Sequence, residues 1–290
     1  MFQGSFVAIV TPFKDDGSLD KQKYQELIEF QIKGGTNGLV PCGCTGEAAT
    51  LTHEEQKQII KIAVETVNGR IPVIAGTGSN STQEALELTR HAKEVGASGA
   101  LIITPYYNKP TPEGQFLHYK KIAQEVDIPI MLYNVPSRTG ISMLPETVAR
   151  LSKIDNIVAI KEASGSVDQV SKILSLCDIC VLSGDDSMTL ALMAVGARGV
   201  VSVANNIIPR QVAEIVNAYL NNDLERAREI YYEVFPLFKA MFIETNPIPV
   251  KTAMKIIGRL NGKLRLPLCP MQPENEKKLK SVLKKYKFSS

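Results

Sequence analysis

The chain has 290 residues, 44% of them apolar and 22% charged, which is ordinary globular composition with ample material for a core. Its 33 basic and 30 acidic residues leave a net charge of +3, too even a balance to point to nucleic acid or a membrane surface. Apolar runs are all shorter than the ~18 residues a bilayer demands, and MFQGSFVAIVTPF carries no basic region before its apolar stretch, so the sequence reads as cytoplasmic.

Along the chain, one pattern recurs: a short β-branched run, a polar or Gly-rich loop, then an amphipathic stretch. Strands are expected over 7–11, 38–42, 72–76, 100–104, 130–134, 157–162, 180–184 and 199–203. The intervening helices are expected over 21–34, 53–68, 82–95, 113–126, 145–152, 167–176, 187–195 and 209–222, with Thr52 and Glu55 forming a capping box for the second. Eight βα units in succession predict an α/β fold, a (β/α)8 TIM barrel, over residues 1–223; an open doubly wound sheet is the competing arrangement. Residues 224–290 then read as a C-terminal helical extension, with helices at 224–241, 249–260 and 274–285. The lysines of KKLKSVLKKYK (277–287) alternate with Leu279, Val282, Leu283 and Tyr286 at helical spacing, as on a solvated surface helix.

The five cysteines are odd in number and do not form a disulfide framework. Cys177 and Cys180 make a lone C-x-x-C, and a zinc site needs a second Cys or His pair. No metal and no organic cofactor is implied.

In a parallel barrel, chemistry belongs at the C-terminal ends of the strands. Here those ends carry GCTGE (43–47), TPYYN (104–108), YNVPSRTG (133–140), KEAS (161–164) and SGDD (183–186). Alternation in the sixth strand puts Ile157, Ala159, Lys161 and Ala163 on one face, so that the lysine stands beside two alanines. Tyr133 follows Asp127 by the same offset as Lys161 follows Asp155, which places phenol and amine at similar depth in adjacent strands. An amine at such a place is either ion-paired, with Glu162 or Asp185, or neutral and nucleophilic toward a ketone, with a nearby hydroxyl to carry protons. The glycines of GCTGE expose backbone N–H groups that suit a carboxylate.

As a set, GCTGE, YYNKPT (106–111), YNVPSRTG, KEAS, SGDD and ETNPIPVK (244–251) resemble the dihydrodipicolinate synthase family over nearly the whole chain. The resemblance implies a Schiff-base enzyme of lysine and diaminopimelate biosynthesis that condenses pyruvate with L-aspartate-4-semialdehyde. Lys161 would form the imine and Tyr133 would be the central acid/base. The loop at 44–45, with Thr45 matching the family's second threonine, would hold the pyruvate carboxylate, Arg138 the carboxylate of the semialdehyde, and Gly184 with the backbone of Val201 would line the pocket. Tyr107 would reach a neighbouring subunit's site in a homotetramer built as a dimer of dimers. One position departs from the pattern: the family has threonine where Cys44 stands, and that threonine joins two tyrosines in a proton relay. A thiol is a weak donor and acceptor, so the relay should be weaker here.

The resemblance also implies a lysine effector site at Ala49, His53, Asn80, Glu84 and Tyr106, although position 56 is Gln where lysine-sensitive members often have His. Sibling aldolases, N-acetylneuraminate lyase and the 2-keto-3-deoxy-sugar acid aldolases, share the barrel, lysine and tyrosine but use other aldehydes. A non-catalytic barrel that binds small acids is the reading from another class. The arginine of S-R-T-G argues for a small acidic aldehyde over a neutral sugar.

Overall fold

The computed structural model describes residues 2–288. Its first strand, β1 (Gly4–Ala8), begins before the apolar run that announces it. Past Ala8 the chain leaves the ladder: Ile9 N–H still donates to Val40 O at 3.2 Å, but Val10 N–H turns to the Asn206 side-chain oxygen at 3.1 Å. The other strands are β2 (Gly38–Val40), β3 (Ile74–Gly76), β4 (Gly99–Ile103), β5 (Ile130–Asn134), β6 (Ile157–Glu162), β7 (Cys180–Ser183) and β8 (Gly199–Ser202). Five end earlier than alternation predicts, because the last residues of each expected run belong to the rim loops.

Neighbours pair in parallel in the order β2-β1-β8-β7-β6-β5-β4-β3. A parallel bridge between Leu39 and Val73, with Gly76 N–H donating to Pro41 O at 2.9 Å, joins the two ends. Ring closure of eight parallel strands is the TIM architecture rather than the open sheet. The surrounding helices are α1 (Lys21–Lys33), α2 (His53–Val67), α3 (Thr82–Glu94), α4 (Pro112–Glu125), α5 (Pro136–Thr139), α6 (Pro145–Leu151), α7 (Val167–Leu176), α8 (Thr189–Ala194) and α9 (Pro209–Leu220). The Thr52–Glu55 capping box is present in both directions, at 3.0 and 3.2 Å. α5 is the one helix that the sequence pattern does not announce; Pro136 at its start and Gly140 after it read as a loop.

The strands sort their side chains into two cores. Phe6, Val40, Ile74, Leu101, Met131, Ala159, Leu182 and Val201 fill the barrel, while Val7, Leu39, Ile102, Leu132 and Ile160 face the helices. Gly38 makes room for this filling, since a Cβ there would lie 2.1 Å from the Phe6 ring. In β6 the alternation fails at one point. The β5–β6 register jumps from Ile130↔Ile157 to Met131↔Ala159, a bulge at Val158. Ile157 therefore joins the outer core and does not share the face of Lys161, as strict alternation had placed it.

Beyond the barrel run α10 (Leu224–Ala240), α11 (Ile248–Ile256) and α12 (Pro273–Leu283). Val234, Leu237, Val250, Met254, Leu279 and Leu283 belong to the same outer core as Val212 and Ile215 of α9. In the basic C-terminal stretch Leu279 and Leu283 are buried and the lysines are exposed, as the spacing predicts. Among the described residues no helix is long and apolar enough to cross a membrane.

Candidate active site

Tyr133 and Lys161 are direct partners in the β5–β6 ladder, the equal depth that their offsets predict. Lys161 is 5% exposed, and its Nζ lies 4.4 Å from the centre of the Tyr133 ring. Among the described residues no carboxylate comes within 4.0 Å of this amine. Glu162 points the other way, where its two oxygens accept from Asn134 Nδ2 at 3.1 and 3.0 Å and one accepts from Ser164 N–H at 2.7 Å. Asp185 caps Ser187, through N–H and hydroxyl, both at 2.8 Å. The ion-pair alternative for Lys161 is thus not built.

Burial lowers the Lys161 amine to about 8; charge on Cys44 and Asp186 opposes the shift and Arg138 adds to it. Burial likewise pushes the Tyr133 phenol well above its usual range, so it stands as a proton donor at neutral pH. Its hydroxyl lies 3.9 Å from Cys44 Sγ, the outer reach of a sulfur hydrogen bond. Gly184 gives the amine its space: a Cβ there would sit 3.1 Å from Lys161 Cε and 2.6 Å from the Ala163 methyl. Val201 is buried in the barrel core on the neighbouring strand.

The loop 43–47 turns back on itself, with Glu47 N–H donating to Cys44 O at 3.1 Å and Ala48 N–H to Gly43 O at 3.3 Å. Thr45 is buried, and its Oγ1 accepts from Asn246 Nδ2 at 2.9 Å. Its own hydroxyl hydrogen is therefore free to donate to an anion. The main-chain oxygen of the same Asn246 accepts from the Arg138 guanidinium at 2.8 Å, which leaves that group's other N–H donors for a ligand. Asn246 thus ties Thr45 and Arg138 together. Sequence reasoning did not assign it a role; its only signal was its place in ETNPIPVK.

A cavity of about 540 Å³ is lined by Cys44, Tyr133 and Arg138 and also by His53, Glu84 and Tyr106. Ala49 and Gln56 lie along its wall, and Gln56 spends its amide on Gly76 O at 2.9 Å. Glu84 accepts from Ser79 Oγ at 2.6 Å and stands 3.9 Å from His53 Nε2. Asn80 is close by through its main chain, accepting from Asn108 Nδ2 at 2.9 Å. Tyr107 is not brought to Lys161. It is 89% exposed, on backbone with φ of 70°, outside the cavity wall. Cys180 donates its thiol to Phe2 O at 2.8 Å, and Cys177 to Ile173 O at 3.5 Å.

The arrangement offers a desolvated amine, a phenol beside it, and two separate anion-binding groups. That set suits imine chemistry on a small keto acid followed by addition to a second acid. Comparisons agree with it. The family model described as the dihydrodipicolinate synthetase family matches residues 1–286. A relative from Geobacter sp. (strain M21), named 4-hydroxy-tetrahydrodipicolinate synthase, is 56% identical over 290 residues, covering 99% of this chain and 100% of the relative. The crystal structure of dihydrodipicolinate synthase from Aquifex aeolicus superposes with a TM-score of 0.96 at 55% identity, covering 98% of both chains. The enzyme from Cyanidioschyzon merolae with lysine bound has a TM-score of 0.95 at 38% identity, again over 98% of both.

Proposed function

The chain belongs to the dihydrodipicolinate synthetase family, and from that premise we propose that it is a 4-hydroxy-tetrahydrodipicolinate synthase, joining pyruvate to L-aspartate-4-semialdehyde through a Lys161 imine. The observation that carries the reading is the buried, carboxylate-free amine stacked on Tyr133.

Neutral Lys161 attacks C2 of pyruvate, and the carbinolamine loses water to give the imine. Loss of a C3 proton makes the enamine, whose C3 attacks the aldehyde carbon of the second substrate. Its amino group then displaces Lys161 from C2 and closes the ring. The imine is itself the electron sink, so the scheme needs neither a metal nor an organic cofactor. Tyr133 carries the protons of these steps. Thr45 and the adjacent backbone hold the pyruvate carboxylate, with Gly184 and Val201 shaping the space around the imine. Arg138 holds the carboxylate of the semialdehyde, bidentate where a point charge would not orient it. Borohydride reduction in the presence of pyruvate, followed by peptide mapping, should place one pyruvyl group on Lys161. Turnover with aspartate semialdehyde should far exceed that with N-acetylmannosamine or glyceraldehyde.

Residues 1–223 form the catalytic barrel in this reading and 224–290 its extension; Met1, Ser289 and Ser290 lie outside the described residues. The exposed Tyr107 supports a homo-oligomer, a dimer of dimers, in which each copy supplies this phenol to its neighbour's Tyr133–Cys44 relay. We place the enzyme in the cytoplasm, with its small-acid substrates.

Cys44 should limit the rate. Cys44→Thr replaces a 3.9 Å sulfur contact with a hydroxyl able to donate and accept. It is expected to raise kcat roughly two- to tenfold, the worth of one neutral hydrogen bond of about 0.5–1.5 kcal/mol. Steady-state turnover at saturating substrates checks this, and an unchanged kcat removes Cys44 from the relay.

We assign an L-lysine effector to Ala49, His53, Glu84 and Tyr106 of the cavity wall together with the nearby Asn80. Glu84 meets an ammonium group there. Calorimetry is expected to show L-lysine binding that Glu84→Gln weakens about tenfold, as loss of one charge-assisted contact should. Equal affinity in the variant would place lysine elsewhere.

A further inference from the structure

The loop 43–47 is bounded by two residues in left-handed backbone, Cys42 and Glu47, both with φ of 56°. Neither is glycine, and this conformation is uncommon for residues that carry a side chain. At Glu47 the surroundings are visible. Its carboxylate is fully buried and ion-paired with Lys251 of α11, which is buried to 1% exposure. Lys251 also donates to Lys263 O at 2.9 Å and lies 4.2 Å from the centre of the Phe13 ring. The second Glu47 oxygen accepts from Arg265 N–H at 3.3 Å. The Arg265 side chain, in turn, holds both Glu55 oxygens at 2.7 and 2.6 Å and the Thr50 carbonyl at 3.0 Å. The other side of the loop is tied by Asn246 to Thr45.

A buried ion pair is poor evidence for stability, since apolar residues of similar volume often serve as well. This one is better explained by what it fixes. Segment 246–265 lies outside the eight-strand ring, yet it grips the loop at both its hydroxyl and its strained end. We propose that Glu47 and Lys251 are positioning residues: their pairing sets the conformation in which loop 43–47 receives the pyruvate carboxylate, so the C-terminal extension is part of the substrate site. This rests on the reading of that loop as the carboxylate cradle.

The test is the double variant E47Q/K251M, which strands no buried charge and keeps a hydrogen-bonding side chain at 47, alongside E47D, which keeps both charges and shortens one arm. Thr45→Val is the reference for the cradle itself. In both test variants the KM for pyruvate is expected to rise about tenfold or more, as weakening one charge-assisted contact to its carboxylate would cause. The KM for aspartate semialdehyde and kcat at saturating pyruvate are expected to stay within about threefold, the signature of lost binding rather than lost chemistry. A purely structural pair would behave differently, lowering melting temperature and active fraction with no selective change in pyruvate KM. Either variant, folded by circular dichroism and with parental pyruvate KM, overturns the proposal. If Thr45→Val also leaves pyruvate KM unchanged, it is the cradle reading that has failed; if Thr45→Val raises it, only the role of the pair has.

Discussion

Lys161→Ala is expected to lower kcat/KM by at least about 10³-fold, because the covalent route through the imine has no substitute nucleophile. The neighbouring cysteine and phenol cannot form an imine, and Lys251, the other buried amine, is spent on Glu47. Stability should change far less than activity, since the amine has no carboxylate partner to strand. The test is paired: steady-state turnover, and borohydride trapping of pyruvate, which the variant should fail entirely. A Lys161→Ala enzyme that still turned over at parental speed would sink the imine mechanism.

The pH dependence of trapping follows from the same amine. Its pKa is lowered to about 8, chiefly by burial. The protonated form cannot attack, so below that value the reactive fraction falls about tenfold per pH unit. Trapping rates should climb from pH 6 to about 8 and then level. For an exposed lysine, the climb would continue toward 10.4. A rate still rising through pH 10 would show that the amine is not desolvated when pyruvate arrives.

Much of this site was legible in the sequence because parallel barrels put strand ends to use, and strand ends can be found from β-branched runs. The depth match of Tyr133 and Lys161 needed only equal offsets from Asp127 and Asp155, and the ladder pairs them directly. Strict alternation misplaced Ile157, because a bulge adds one residue without altering composition. The supports of the site were hidden for a different reason. Asn246 meets Thr45 across 201 positions, and Lys251 meets Glu47 across 204, contacts that no local period encodes. The resemblance implies only that Gly184 lines the pocket, and the three-dimensional proximity of Lys161 Cε shows that its missing Cβ is the point. In sequence Asn134 has no assigned role, and Glu162 reads only as a candidate ion-pair partner of Lys161. In space they bond each other on the outer face, with Asn134 Oδ1 also accepting from Met143 N–H at 2.9 Å, and so pin the ends of both strands.

Tyr133→Phe should separate proton transfer from binding. The ring that lies 4.4 Å from Lys161 Nζ remains, as does the packing of a buried aromatic, and only the hydroxyl is lost. Pyruvate affinity and melting temperature should therefore stay near parental values, while kcat falls by about 10² to 10⁴, the usual worth of a positioned acid/base. Borohydride trapping should still succeed but more slowly, because the carbinolamine must lose water without its proton donor. The relay adds a sharper test. If Cys44 acts through the Tyr133 hydroxyl, the gain expected from Cys44→Thr should vanish in the Tyr133→Phe background, since groups in contact are coupled and do not act additively. Additive effects of the two substitutions would mean that position 44 influences the rate by some path other than the phenol 3.9 Å away.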